Sequence, residues 1–99
     1  MANGTISNPG LFIIRSATTQ SVSINGNSNA WVNVIPAAVD GYKAVAVAGW
    51  QARSTNVSLS VYAVRFDDAG KVNVALHNLS TSTQATGCYA EVDILYIRD

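Results

Sequence analysis

Two runs of alternating apolar and polar residues lie on either side of a short turn in the middle of the chain. Apolar residues occupy every second position in residues 57–61, and residues 72–76 repeat the pattern. A period of two with one apolar face is typical of a half-buried strand. Residues 67–70, Asp-Asp-Ala-Gly, supply a glycine that tolerates positive φ and carboxylates that bond nearby backbone N–H groups. The pattern predicts an antiparallel hairpin over residues 56–78, against which the other strands pack.

The apolar face of the first strand in this hairpin changes side along its length. Val57, Leu59 and Val61 are followed by apolar residues of the opposite parity, beginning with Tyr62. A bulge near Tyr62 and burial of both strand faces are the two explanations that the sequence leaves open.

The segment before this hairpin contains two further alternating runs, residues 18–25 and 30–35. They surround residues 25–29, Asn-Gly-Asn-Ser-Asn, which is the strongest turn signal in the chain. The three segments together predict a second hairpin. A short apolar run at residues 11–15 predicts another strand or an interface segment.

Two longer apolar runs complete the pattern. Residues 43–51 are apolar on both faces, which is typical of a central strand covered on both sides, and Gly49 indicates a bulge or a close approach within it. Residues 88–98 predict a closing strand whose core face carries Ala90, Val92, Ile94 and Tyr96. The other face of that strand is polar at its start and apolar at its end, so its C-terminal half is a candidate contact for a partner subunit.

These segments predict an all-β fold, an antiparallel β-sandwich of about seven or eight strands with a jelly-roll-like arrangement. We expect a single domain over residues 11–99, because 99 residues leave no room for a second core. Residues 1–10 end in Asn-Pro-Gly and are interpreted as an N-terminal arm or linker.

The composition changes this picture by pointing to an assembly. Only 12% of the residues are charged, 48% are hydrophobic, and the net charge is zero. The charged fraction is about half that of average soluble domains, and a neutral chain has no charge repulsion to keep copies apart. We therefore expect a homo-oligomer.

Charge and residue usage also argue against several kinds of partner. There is no basic excess for binding nucleic acid, and no apolar run approaches the roughly 18 residues of a membrane-spanning segment. The first ten residues lack the charged and then apolar pattern of a signal peptide. A single cysteine, Cys88, excludes an internal disulfide and a cysteine zinc cluster, and no cofactor or metal site is predicted.

The sequence gives little support for an enzyme. Glu91 and Asp93 lie about 7 Å apart on one strand face, whereas glycosidases place their two carboxylates across a cleft. Pairing of these carboxylates with Arg65 or Arg15, or solvation, is the preferred interpretation. His77 is the only histidine and falls on a polar strand face. We expect no catalytic residues.

A binding module is easier to support from the residues present. Sugar recognition uses flat aromatic surfaces together with amide and hydroxyl groups. The candidate ligand-binding residues are Trp31, Trp50, Arg53, Asn33 and His77. Packing of each tryptophan in the core or in a subunit interface is the alternative, and Arg53 can equally be an ordinary surface arginine.

The chain from about residue 20 to residue 99 resembles the C-terminal domains of tail-fibre and minor structural proteins of phages and prophages of Gram-positive, gut-type bacteria. The resemblance depends on a Pro-(x)4-Gly-Tyr-Lys segment at residues 36–43 and a small-aliphatic run ending in Gly-Trp at residue 50. It also depends on Val-Ala-Leu-His-Asn followed by a Ser/Thr loop at residues 74–83, and on Asp-Ile-Leu-Tyr-Ile-Arg-Asp at residues 93–99.

This resemblance implies a virion protein of the phage tail that attaches to bacterial cell-surface glycans as a homo-oligomer, commonly a trimer, beside other tail proteins. It supplies no matched binding residues. Two other functions remain open: a structural domain that trimerises, caps the fibre or decorates the virion without a ligand, and, less favoured, a small glycan hydrolase.

Overall fold

The computed structural model describes residues 10–99, so the predicted arm at residues 1–10 lies almost wholly outside the described residues. The described part of the chain contains seven strands and no helix. The strands are β1 (Phe12–Thr18), β2 (Val22–Ile24), β3 (Asn29–Val34), β4 (Tyr42–Arg53), β5 (Leu59–Phe66), β6 (Val72–Asn78) and β7 (Ala85–Arg98).

The strands form two antiparallel sheets, each named here after its central strand. In the β7 sheet, β4 pairs with one side of β7, while β1 and β2 pair one after the other with the opposite side. In the β6 sheet, β6 lies between β3 and β5. The long β7 strand therefore holds three other strands together.

The hydrophobic core lies between the two sheets. From the β7 sheet it includes the four predicted core residues of the closing strand, and from the β6 sheet it includes Val72, Val74 and Leu76, all 2% exposed or less. The predicted β-sandwich is thereby confirmed. The jelly-roll-like arrangement is not confirmed, because the described residues form sheets of four and three strands.

The predicted central hairpin is confirmed as β5 and β6. Its turn is closed by Asp67, whose Oδ1 accepts bonds from the backbone N–H groups of Ala69 and Lys71, both at 2.9 Å. Gly70 adopts the positive φ, 82°, that the turn requires. A register shift between residues 61 and 63 of β5 makes Tyr62 the extra residue of a bulge, which explains the change of apolar face.

The predicted second hairpin is wrong. β2 pairs with β7 and β3 pairs with β6, so the polar turn between them carries the chain from one sheet to the other. Alternation in the sequence identifies which face of a strand is apolar, but it does not identify the neighbouring strand.

The prediction of a central strand at residues 43–51 is also wrong. Among the described residues β4 pairs only with β7, so it is an edge strand. Its unbroken run of alanine and valine places apolar side chains on both faces, yet no residue of β4 is fully buried, and register shifts next to Ala44 and next to Val47 bend the strand. The close approach expected at Gly49 is present, because a Cβ built there would meet Asp93 Oδ2 at 3.3 Å.

Candidate functional site

The solvent-facing side of the β6 sheet gathers polar and aromatic side chains in three cross-strand rows; we call it the β6 outer face. Each row takes one residue from each strand, because directly paired residues of antiparallel strands point to the same side. The rows are Asn29–His77–Ser60, Trp31–Ala75–Ala63 and Asn33–Asn73–Arg65.

The centre of the β6 outer face is an aromatic pair formed by Trp31 and Tyr62. Their ring centroids are 6.4 Å apart and the ring planes meet at 62°, an edge-to-face contact. β3 and β5 lie on opposite sides of β6, roughly 10 Å apart, so both rings must lean inward over β6. Ala75 of β6 lies beneath them and has no exposed surface.

The aromatic pair remains open to solvent. Trp31 is 47% exposed and Tyr62 is 52% exposed, although large aromatic side chains are usually well buried. The small Ala75 side chain leaves room for the rings to meet, and the bulge brings Tyr62 to the edge where it reaches Trp31. The result is an exposed apolar platform on an otherwise polar face.

A shallow depression of about 270 Å³ adjoins the platform and is lined by Trp31, Arg65, Asp67 and Asn73. Asp67 Oδ2 accepts a bond from Asn73 Nδ2 at 3.0 Å, and Asp67 Oδ1 is held by the turn. These hydrogen bonds lower the pKa of Asp67 below its usual value, and the bond from the backbone N–H of Lys71 has the largest effect. The Arg65 side chain forms no hydrogen bond or ion pair with residues 10–99, so its donors face solvent.

The other predicted residues of the β6 outer face flank this centre. His77 Nδ1 contacts Asn29 Oδ1 in the row on the far side of the aromatic pair. Asn33 lies in the row of Asn73 and Arg65, and its backbone N–H donates to Gln20 Oε1 at 3.0 Å. The structure thus brings Trp31, Asn33 and His77 onto one surface.

Trp50 and Arg53 lie on the other sheet, in β4. Trp50 is 54% exposed, and Arg53 Nε donates to Glu91 Oε1 at 2.7 Å. That hydrogen bond raises the pKa of Arg53. The two tryptophans are therefore both exposed, but they do not share a groove.

The candidate carboxylates of β7 are engaged with their neighbours. Glu91 pairs with Arg53 rather than with the predicted Arg65 or Arg15, and Asp93 Oδ1 accepts a bond from Ser16 Oγ at 3.0 Å. Register explains the correction, because β4 places residue 53 diagonally across from Glu91. Glu91 and Asp93 lie on one strand face and do not oppose each other across a cleft.

Cys88 is buried in the core, and burial raises the pKa of its thiol, which keeps it protonated. His77 lies on the outer face of the opposite sheet, so the two residues form no nucleophile–base pair.

The residues that sequence reasoning missed are Tyr62, Arg65, Asp67 and Asn73. The sequence pattern places Tyr62, Asp67 and Asn73 only in a strand or turn, and it offers Arg65 only as a partner for Glu91 and Asp93. The grouping of the four residues depends on which strands are neighbours and in which register. The change of apolar face at Tyr62 was the one signal in the sequence that could have pointed to this surface.

Comparisons of the chain with protein-family models, with curated proteins and with solved structures found no match. Within residues 10–99 there is no group of three histidine, cysteine or acidic residues that could hold a metal ion. The same described residues include no helix with the length and hydropathy needed to cross a bilayer.

Proposed function

We propose that this chain is a β-sandwich domain of the phage tail-fibre type, which attaches the virion to a glycan on the host surface through the β6 outer face. The observation that carries the proposal is the exposed Trp31–Tyr62 pair, with the Asn73 amide and the Arg65 guanidinium group beside it on the same surface. The proposal includes no catalytic step.

The chemistry of this surface matches that of a sugar. A pyranose ring has an apolar C–H side, which packs against an aromatic ring, and hydroxyl groups around its rim, which exchange hydrogen bonds with amides and guanidinium groups. A flat, open platform suits a chain-like glycan, whereas small molecules usually bind in enclosed pockets.

We further propose that the domain functions as a homo-oligomer, in the first instance a trimer, through the apolar end of the outer face of the β7 sheet. Phe12 and Ile14 of β1 lie directly opposite Ile97 and Leu95 of β7, and Phe12 and Ile14 are at least half exposed. A second copy is the occupant favoured by the chain's zero net charge and low charged fraction. This surface and the aromatic pair lie on different sheets, so oligomerisation leaves the β6 outer face open to a ligand.

The attachment proposal predicts retention of the full-length chain on cell walls of Gram-positive gut bacteria or on a glycan array. Trp31→Ala is expected to reduce retention about tenfold or more, because stacking on an aromatic ring contributes on the order of 1–2 kcal/mol. Leu79→Ala is the matched control, since Leu79 is 55% exposed and lines neither the depression beside Trp31 nor the groove that Trp50 forms with Tyr62. Equal losses in both variants, or no retention of the parent chain, would contradict attachment through this face.

A purely structural role in trimerisation, capping or virion decoration is the second candidate, and the apolar end of the β7 sheet favours it. In that case neither the parent chain nor the Trp31→Ala variant is retained on any cell-wall preparation. Substitutions at the apolar end of the β7 sheet still change the oligomeric mass. Retention and mass measured on the same variants therefore separate the two functions.

A further inference from the structure

We propose that the depression beside Trp31 selects charge-neutral sugars, binding neighbouring hydroxyl groups with Arg65 as donor and with Asp67 and Asn73 as acceptors. This inference rests on the proposed glycan attachment and specifies the class of sugar. It follows from which hydrogen-bonding positions in the depression are occupied within the protein and which remain open.

The free positions form a mixed set of donors and acceptors. Arg65 retains all five of its N–H donors, because no described residue accepts from its side chain. Asn73 uses one amide N–H on Asp67 and keeps its carbonyl oxygen. Asp67 Oδ1 is taken by two backbone N–H groups, whereas Oδ2 accepts one bond and retains a second lone pair.

Hydroxyl groups match such a set, because each one both donates and accepts a hydrogen bond. One hydroxyl can accept from Arg65 while its neighbour donates to Asp67 or Asn73. A carboxylate or phosphate group held by Arg65 accepts only, so that group cannot donate to Asp67 or Asn73 and brings its negative charge close to the Asp67 carboxylate.

The formal charges around the depression cancel. Of the four residues that line it, Arg65 carries one positive charge and Asp67 one negative charge. An anionic sugar therefore gains no net attraction to offset the loss of its own hydration. A neutral sugar loses less hydration and uses both kinds of partner.

The test uses matched pairs of methyl pyranosides and the corresponding uronic acids, in the gluco, galacto and manno series. They are measured as competitors of the full-length chain's retention on cell walls. The expected result is that each neutral sugar competes more effectively than its acidic partner.

Asp67→Asn is expected to shift the ratio of acid to neutral competition toward the acid by about fivefold, since it removes a like charge close to the ligand. Arg65→Gln is expected to shift the ratio in the opposite direction.

The matched controls are Asp68→Asn, which removes an exposed charge from the same turn, and Arg15→Gln on the other sheet. In Asp67→Asn the new side-chain oxygen can still accept from the backbone of Ala69 and Lys71. The new amide nitrogen replaces the oxygen that accepts from Asn73, and it can donate to Asn73 instead once the Asn73 amide rotates. Acids that compete as well as their neutral partners, or failure of all neutral sugars while retention still depends on Trp31, would overturn this inference alone. Absence of retention, or retention insensitive to Trp31→Ala, would instead overturn the attachment on which it rests.

Discussion

The buried amide of Asn78 shows how one side chain fixes several loops at once. Its Nδ2 lies within hydrogen-bond distance of the carbonyl oxygens of Ile24, Asn25 and Thr83, and its Oδ1 accepts from the backbone of Ser80. The residue is completely buried at the end of β6. It joins the crossing between the two sheets to the loop that leads into β7.

Replacing Asn78 is predicted to destabilise the fold. Asn78→Ala leaves buried backbone groups unpaired, and we expect a loss of about 2–4 kcal/mol in the free energy of unfolding measured by denaturant titration. Asn56 is the matched control, because its amide makes comparable bonds to Gln84, Thr86 and Ser54 but is exposed. Asn56→Ala should cost about 1 kcal/mol or less. Equal costs for the two substitutions would show that burial does not set the contribution of Asn78.

The Asp67 carboxylate makes the hairpin turn sensitive to acid. Its pKa is lowered in the folded chain, so folding favours the ionised form. The resulting stability is present above the ordinary pKa of about 3.8 and is lost as the pH falls through the lower folded value. We predict that the stability advantage of the parent chain over Asp67→Asn shrinks between about pH 4 and pH 2. An advantage that does not change with pH would contradict this.

At the scale of the elements, Ala75 provides space for the aromatic pair. It is directly opposite Trp31 on one side and Ala63 on the other, it is completely buried, and the rings of Trp31 and Tyr62 meet 6.4 Å apart above this row. The volume of one residue on β6 thus determines whether two neighbouring strands present a continuous platform.

Enlarging Ala75 is predicted to separate the rings while the sandwich remains folded. Ala75→Leu should reduce retention on cell walls about as much as Trp31→Ala, and it should change the tryptophan fluorescence. Ala75→Ser preserves the volume and is expected to leave retention unchanged. Full retention by folded Ala75→Leu protein would mean that ring contact is not needed for binding.

Local elements could be predicted from the sequence, whereas their partners could not. The β5–β6 hairpin was predictable because a short turn dictates that its two strands pair, and the core face of β7 followed from strict alternation. The polar turn before β3 gave an equally strong signal, yet the strands on its two sides joined different sheets. Pairing between strands that are distant in the sequence depends on how the complete sheets pack against each other. A short segment of sequence does not contain that information.

In the candidate site, too, the strand position of a single residue could be predicted from the sequence, whereas its contacts with other strands could not. Trp31 lies on the strand face opposite Val32 and Val34, a position that favours exposure, but its contact with Tyr62 depends on both the bulge and the order of β3, β6 and β5. Residue type alone groups Trp50 with Trp31. In the structure Trp50 lies in β4 and lines a groove of about 450 Å³ with Tyr62, which does not include Trp31.

At the scale of the whole molecule, the two sheets present outer faces of different character. The β6 outer face is polar around its aromatic centre. The outer face of the β7 sheet changes from the polar Glu91 and Asp93 to the apolar Leu95 and Ile97 along one strand. The two proposed roles use this difference: we propose that the β6 outer face binds a ligand and that the apolar end of the β7 sheet contacts other copies of the chain.

Oligomerisation through the apolar end is predicted to show in the mass in solution. Light scattering of the parent chain should give about three times the chain mass of 10.4 kDa. Ile14→Ser should shift the mass toward one chain, because it removes an apolar side chain from the centre of the contact. Leu79→Ser, which changes a similarly exposed residue outside this surface, is the control. A parent mass near that of one chain would contradict the assembly.

The position of β7 has a consequence for biosynthesis. It is the last of the seven strands, yet β1, β2 and β4 all take their hydrogen bonds from it. As the nascent chain leaves the ribosome, these three segments have no sheet to join until residues 85–98 emerge. The β7 sheet is therefore completed only after residues 85–98 have emerged, and chaperones have the longest interval in which to act on the segments made earliest.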